Sequence, residues 1–148
     1  MSRPAIVESP PAAGRHGRTG GTVLVRHSDL LLFAAGVFAV RGVPPARAMQ
    51  AARALCYGDL TGMDSHGLVN LTRLYLPLFD EGRVNPAAKP QVVADRGAAV
   101  RLDADRGLGL WVAREAMVLA TSRAAEFGVG VVAVRNATHL GCAGYHAL

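Results

Sequence analysis

The chain has 148 residues, of which 51% are hydrophobic and 18% are charged, a balance typical of one globular domain. Its net charge is +5, but the basic residues are scattered and lack aromatic neighbours, so we expect no nucleic-acid binding. Cys56 and Cys142 show neither disulfide-framework nor zinc-ribbon spacing and favour a cytoplasmic location. The longest apolar run, residues 30–40, is too short to span a bilayer, so we expect no membrane association.

The sequence predicts a disordered tail followed by a helical hairpin. Residues 1–21 are rich in Pro, Gly, Ala and Arg and show no hydrophobic period, so we expect a disordered extension. Capping signals and helical spacing then predict helices over residues 30–41 and 46–57, with Gly58 closing the second helix.

The next stretch, Asp64-Ser65-His66-Gly67, is polar and suits neither a strand core nor a helix interior. Asp64 or Ser65 is expected to cap a helix that begins near Gly67. His66 would then lie at the positive end of the helix dipole, which favours a neutral imidazole that can give or take a proton. Ser65 could hydrogen-bond a substrate oxygen. The alternative is a simple helix cap beside a surface histidine.

A helix is predicted over residues 68–81, and it carries two more candidate site residues. Asn70 and Arg73 follow His66 by four and seven positions, so the three side chains are expected to share one face. Arg73 could clamp a carboxylate with two parallel hydrogen bonds. Tyr75 is expected to be a half-buried aromatic whose hydroxyl reaches water.

The second half of the chain alternates strand and helix patterns. Short strands are predicted over residues 91–94 and 98–102, joined as a hairpin at residues 95–97. Helical periodicity covers residues 110–127. The continuous apolar run at residues 129–134 predicts a strand buried on both faces, in a mixed sheet covered by helices. We therefore expect an α/β fold.

Polar, capping and glycine residues follow that last strand, from residue 135 to 146. Open α/β sheets place ligand sites beyond such strands, where helix N-terminal amides bind phosphates or nucleotides. His139, Cys142 and His146 are also spaced to share one helical face, and with His66 they could hold zinc. A metal-dependent hydrolase using the three histidines is therefore an alternative prediction, as is a plain helix cap.

Four segments together resemble successive landmarks of a known family. They are DLTGMDSHG (residues 59–67), RLY (73–75), GRVNP (82–86) and NATHLG (136–141). In this order they resemble the malate/L-lactate dehydrogenase family of non-Rossmann nicotinamide oxidoreductases, over the stretch from Ser28 to the last residue. Members of that family are considerably longer, so the resemblance implies a truncated, sulfolactate-dehydrogenase-like α/β fold.

The resemblance implies reversible hydride transfer between NAD or NADP and the C2 carbon of a small 2-oxo or 2-hydroxy acid, such as malate or lactate. His66 would exchange the proton with support from Ser65, and His139 would be catalytic or contact the cofactor. Arg73 would hold the substrate carboxylate, because Asn70 stands where many relatives carry an arginine. The implied cofactor-binding residues are His139, Leu140, Gly141, Cys142 and Ala143.

The resemblance also bears on organisation and assembly. Residues 22–88 would form an N-terminal helical portion with the Asp-Ser-His-Gly site, and residues 89–148 the incomplete start of a cofactor-binding domain. The family is typically dimeric, so a homodimer is expected. A different prediction is a folded, non-catalytic fragment that acts only by association.

Overall fold

A computed structural model describes residues 24–148; the extension predicted over residues 1–21 lies outside the described residues. In chain order, the elements are α1 (His27–Val40), α2 (Pro45–Leu60), a 3-10 turn (Asp64–His66), a π-helical segment (Leu71–Tyr75), α3 (Leu76–Asp80), β1 (Gln91–Arg96), β2 (Ala99–Gly107), α4 (Gly109–Phe127), β3 (Val131–Ala137) and α5 (Ala143–His146). Within residues 24–148, no helix has the length and hydropathy needed to cross a membrane.

The predicted helical hairpin is formed by α1 and α2, but Gly58 does not end the second helix. Helix α2 continues to Leu60, and the chain leaves the helix at Gly62, whose φ is +74°. A Cβ on Gly58 would lie 2.9 Å from the Gly67 nitrogen and from the His66 carbonyl carbon. Glycine is therefore needed inside α2 because another stretch of backbone packs directly on it.

The three strands form one mixed sheet in the order β1-β2-β3. The predicted hairpin is present: β1 and β2 are antiparallel, and Gly97 turns between them with a φ of +67°. Strands β2 and β3 are parallel, and α4 makes the crossover between them. The mixed α/β fold predicted from the sequence is thereby confirmed.

Strand β3 is more exposed than its apolar sequence predicted. Most of its side chains are exposed, including Val131 at 55% and Val134 at 38%. The expectation of burial on both faces is wrong because, within residues 24–148, β3 pairs with β2 alone and only α4 packs against it. An apolar run indicates strand structure here without indicating how many layers cover it.

One hydrophobic core runs from the helical hairpin to α4. It includes the fully buried side chains of Phe38, Leu55 and Trp111. The Arg47 guanidinium lies 3.9 Å from the Trp111 ring centroid and makes two hydrogen bonds, of 3.0 and 3.2 Å, to the Glu115 carboxylate. This contact ties the start of α2 to α4.

Candidate active site

Residues 64–67, here called the His66 loop, form a tight turn against the end of α2. The 3-10 turn covers Asp64–His66. The Asp59 carboxylate, on the last turn of α2, accepts a 2.8 Å hydrogen bond from the Leu68 backbone N–H just after the loop. A Cβ on Gly67 would lie 2.2 Å from the Asp59 Oδ1 atom. The glycine therefore allows the carboxylate to reach the backbone it anchors.

The cap predicted for the following helix is wrong. Neither Asp64 nor Ser65 caps it, because both are folded into the 3-10 turn and helical backbone resumes only after Leu68. Asp59 supplies the carboxylate instead, from an earlier helix. A nearby carboxylate at a helix start was predictable, but its origin in α2 depends on the tertiary fold.

His66 precedes the helix, so the helical spacing that predicted a shared face with Asn70 and Arg73 does not apply. The Asn70 side-chain amide donates a 2.7 Å hydrogen bond to the Ser65 carbonyl and so closes the His66 loop. Arg73 lies in the π-helical segment Leu71–Tyr75 and is exposed to solvent. Its guanidinium is open to an anionic ligand, whereas the Asn70 amide is already engaged.

The His66 ring is half-buried and paired with its neighbour. The Ser65 Oγ atom lies 2.9 Å from His66 Nδ1. A hydroxyl can donate or accept, so this contact supports two neutral tautomers. When Nδ1–H donates to Ser65, His66 Nε2 keeps a lone pair and can accept a proton.

Residues 136–141, here called the His139 loop, begin with the last two residues of β3 and lie at the start of α4. The Thr138 N–H donates to the Gly107 carbonyl at 3.1 Å, and the Gly109 N–H donates to Thr138 Oγ1 at 2.9 Å. A Cβ on Gly109 would lie 2.2 Å from the Thr138 carbonyl oxygen. Thr138 therefore caps α4 from a distance and holds the loop at the carboxyl ends of two parallel strands.

His139 is positioned by two donors. The Tyr75 hydroxyl donates to the His139 carbonyl at 3.1 Å. The Gly141 N–H donates to His139 Nδ1 at 3.0 Å, so the neutral ring carries its proton on Nε2. Tyr75 is fully buried, and the prediction that its hydroxyl reaches water is wrong because the hydroxyl faces the His139 backbone.

The fold brings the two predicted histidines together. The ring centroids of His66 and His139 are 5.6 Å apart, with 45° between the ring planes. A small oxygen-bearing substrate beside these rings could meet an N–H donor on His139 and a proton acceptor on His66. The pair therefore has the composition of an acid-base site.

The remaining residues predicted to contact a cofactor are divided between surface and interior. Leu140 and Ala143 are exposed, whereas Gly141 and Cys142 are buried. The Cys142 Sγ atom lies 3.4 Å from the Met63 Sδ atom. Cys142 directly follows the His139 loop and Met63 directly precedes the His66 loop, so this contact joins the two loops. Cys142 thus packs the two loops together, and its side chain faces the interior.

The zinc site predicted from His139, Cys142 and His146 does not form. Helix α5 begins after Cys142, so these residues share no helical face. His146 is buried, and its Nε2–H donates to the Leu140 carbonyl at 2.8 Å. Within residues 24–148, no cluster of three His, Cys, Asp or Glu side chains could hold a metal ion. The hydrolase prediction that depended on such a cluster is therefore not supported.

A cleft of about 230 Å³, here called the α4 cleft, opens beside the His139 loop. Its lining residues are Gly109, Val112, Ala113, Val134, Asn136, Ala137, Thr138 and Leu140. Pockets that hold whole ligands have volumes of about 300–1,000 Å³, so this cleft suits a single ring. Its largely apolar lining and its place beyond parallel strands suit a small planar ring of a ligand.

The sequence did not indicate the roles of three residues that organise the site. Tyr75, Asp59 and Gly109 each act on a segment distant in the chain. No local pattern marks such roles, because periodicity and capping rules describe neighbours within one element. The one local signal is Gly109 itself, a glycine between a strand and a helix.

The fold and the site together define a mixed α/β protein with a pair of neighbouring histidine rings near the carboxyl edge of its parallel strands. Residues 25–148 match the profile of the malate/L-lactate dehydrogenase family. The chain belongs to this family. The match confirms the family that the four sequence segments indicated.

Individual relatives agree in sequence and in fold. The chain is 36% identical over 126 residues to a malate dehydrogenase of Pyrococcus abyssi, covering 85% of this chain and 34% of the relative. It is 40% identical over 106 residues to the L-sulfolactate dehydrogenase of Methanocaldococcus jannaschii, covering 72% and 30%. The solved malate dehydrogenase of Pyrococcus horikoshii superposes with a TM-score of 0.81 at 36% identity, covering 84% and 36%. The chain therefore spans about a third of the length of these relatives.

Proposed function

We propose that this chain forms the proton-transfer part, and the nicotinamide-facing edge, of an NAD- or NADP-dependent dehydrogenase acting on small 2-hydroxy or 2-oxo acids. The observation that carries the proposal is the 5.6 Å approach of the His66 and His139 rings beside an apolar cleft. The relatives support it, since they are named as dehydrogenases of malate, L-sulfolactate and hydroxycarboxylates.

The two histidines would play different roles. His139 presents Nε2–H, because its Nδ1 accepts from Gly141, and can donate a hydrogen bond to the oxygen on C2 of the substrate. His66, with Nδ1–H bonded to Ser65, can take the hydroxyl proton on Nε2 during oxidation and return it during reduction. The nicotinamide, when bound, would accept or supply the hydride.

Other side chains would hold the reactants. Arg73 is exposed in the π-helical segment after the His66 loop and would bind the substrate carboxylate. Asn70 would act through the Ser65 backbone that it braces. The backbone of residues 139–143 would border the cofactor, with the ring in the α4 cleft. Malate and lactate are both suitable substrates, because each carries a hydroxyl on C2 next to a carboxylate.

The organisation predicted from the sequence is part of the proposal. Residues 22–88 would form a helical portion that carries the His66 loop, and residues 89–148 the beginning of a cofactor-binding domain. Both cysteines are free thiols, as expected for a protein of the reducing cytoplasm. A homodimer is the proposed assembly.

The test is a fluorescence titration of the purified chain with NADH and NADPH, followed by a screen of 2-oxo acids. We expect saturable binding that weakens in His139→Ala, because the variant removes a group bordering the cofactor. Where turnover is measurable, His66→Ala should lower kcat by about 10²–10⁴-fold, the usual contribution of an acid-base group.

The matched control is His27→Ala, since His27 is exposed at the start of α1. It should leave binding and turnover unchanged. A folded chain that binds neither cofactor, or a His139→Ala variant that binds as tightly as the wild type, would contradict the proposal and leave only the family membership.

A further inference from the structure

A second cleft, of about 560 Å³, lies on the other side of the His139 loop. We call it the arginine cleft; Leu74, Leu78, Arg83, Arg106, Asn136 and His139 are among its lining residues. It is large enough for part of a ligand whose reacting carbon lies at the histidines. No residue that lines it is a carboxylate.

The charge of this cleft comes from two guanidinium groups. Arg106 donates a 3.1 Å hydrogen bond to the Gly82 carbonyl, which holds it beside Arg83. Arg83 contacts Glu81 at 3.3 Å, but both side chains are more than half exposed, and such surface pairs are weak. A guanidinium has five N–H donors, so each arginine retains donors for an incoming anion.

The backbone around this cleft is strained. Within residues 24–148, Asp105, Arg106 and Asn136 are the residues other than glycine with positive φ, at 52°, 57° and 58°. Arg106 and Asn136 line the cleft, and Asp105 is adjacent to it in sequence. Asp and Asn adopt this left-handed backbone readily, whereas for Arg106 it is unfavourable, and such strain concentrates at functional sites.

Specific hydrogen bonds hold the left-handed residues Asp105 and Asn136 in place. The Asp105 carboxylate accepts from the Asn85 amide at 2.8 Å and from the Lys89 N–H at 3.1 Å. The Asn136 amide donates to the Asp103 carboxylate at 3.0 Å. These bonds fix the backbone of Asp105, the residue before Arg106, and of Asn136 on the cleft wall.

We propose that the arginine cleft binds an oxyanion of the ligand, remote from the carbon that reacts, through Arg106 and Arg83. The inference rests on the proposed function, because His139 both lines this cleft and approaches His66. The oxyanion has two sources: the second acid group of a substrate such as malate, or a phosphate of the dinucleotide. Both present the planar or tetrahedral oxygens that guanidinium groups bind.

Isothermal titration calorimetry of the full chain with L-malate, L-lactate, inorganic pyrophosphate and NADH tests the proposal. The main variant is Arg106→Asn, because asparagine tolerates a positive φ. If the oxyanion is the second acid group of the substrate, wild type should bind malate about tenfold or more tightly than lactate. Arg106→Asn should then lose this preference while its affinity for lactate stays unchanged. If the oxyanion is a phosphate of the dinucleotide, Arg106→Asn should instead bind pyrophosphate and NADH about tenfold more weakly.

Two further variants complete the design. Arg83→Gln changes an exposed side chain that makes no hydrogen bond to the backbone of residues 24–148, so this variant should fold. It can therefore test the proposal if Arg106→Asn does not fold. Arg53→Gln, on the exposed face of α2, makes the same change in net charge and should change none of the affinities.

Unchanged affinities for malate, pyrophosphate and NADH in both cleft variants would overturn the oxyanion site. In that case, NADH binding that still depends on His139 would leave the proposed function standing. A wild-type chain that binds none of the four compounds would overturn both.

Discussion

His139 is held at two points, its carbonyl by the Tyr75 hydroxyl and its ring by the Gly141 N–H. Burial raises the pKa of the Tyr75 hydroxyl, so it remains a donor throughout the neutral pH range. The Gly141 N–H therefore sets the tautomer of the His139 ring, and Tyr75 holds the His139 backbone. Tyr75 is a positioning residue, since it acts through His139.

Tyr75→Phe should weaken both stability and cofactor binding. The variant removes the 3.1 Å hydrogen bond to the His139 carbonyl and leaves it only the long 3.4 Å contact from Thr138 Oγ1, which costs about 0.5–1.5 kcal/mol. We expect a lower midpoint of urea unfolding and a several-fold loss of NADH affinity. Tyr57→Phe, at a half-buried tyrosine of α2, serves as the control. Equal NADH affinity in wild type and Tyr75→Phe would show that the hydroxyl is only structural.

At the scale of elements, glycines decide how closely the loops approach the helices. Gly109 begins α4 against the Thr138 and His139 carbonyls, and Gly58 inside α2 touches the backbone of the His66 loop. By contrast, a Cβ on Gly36 in the middle of α1 would meet nothing within 4 Å. The same residue type is thus required at two helices and merely tolerated at the third.

Paired substitutions test this difference. Gly36→Ala should raise the free energy of unfolding by about 0.5–1 kcal/mol, because alanine loses less entropy in a helix. Gly109→Ala should lower it and weaken NADH binding, since the new Cβ would displace the His139 loop. Urea unfolding followed by circular dichroism measures both. Similar effects from the two substitutions would refute the close-approach argument.

Most elements were predictable because their signals are local. Helical periodicity predicted the first residue of α4 to within one position. The residues typical of tight turns predicted the β1–β2 hairpin. The π-helical segment Leu71–Tyr75 and the exposure of β3 were not predicted. Both depend on what packs against the element, which no window of neighbouring residues contains.

At the scale of the whole molecule, the candidate site is assembled from segments far apart in the chain. Each histidine was identifiable from its own polar neighbourhood, but their 5.6 Å approach follows from the packing of α2 and α4. The arginine cleft likewise joins the end of β2 to the turn after α3. Local chemistry could be predicted, whereas the grouping of residues required the fold.

Stability should fall on acidification through His146. Burial, with a smaller contribution from the charge of Arg114, lowers the pKa of His146, although its bond to the Leu140 carbonyl opposes the shift. Below about pH 6.5 the unfolded chain takes up a proton that the folded chain binds less readily. The loss of stability continues until the pH reaches the lowered pKa.

Urea unfolding at pH 7.5 and 5.5, on wild type and His146→Gln, measures this effect. Glutamine keeps a donor for the Leu140 carbonyl and removes the titration. The variant should lose less stability than wild type between the two pH values. An equal loss in both proteins would exclude His146 as the source.

Trp111 is the only tryptophan in the sequence, and it lies buried under the Arg47 guanidinium where α2 meets α4. Its indole is shielded from water in the folded chain, so its emission reports on this one junction rather than on the molecule as an average. The helical hairpin and the crossover helix meet there, and the two histidine loops lie at the ends of these same elements. The chain therefore contains an intrinsic optical probe of whether its two halves stay together.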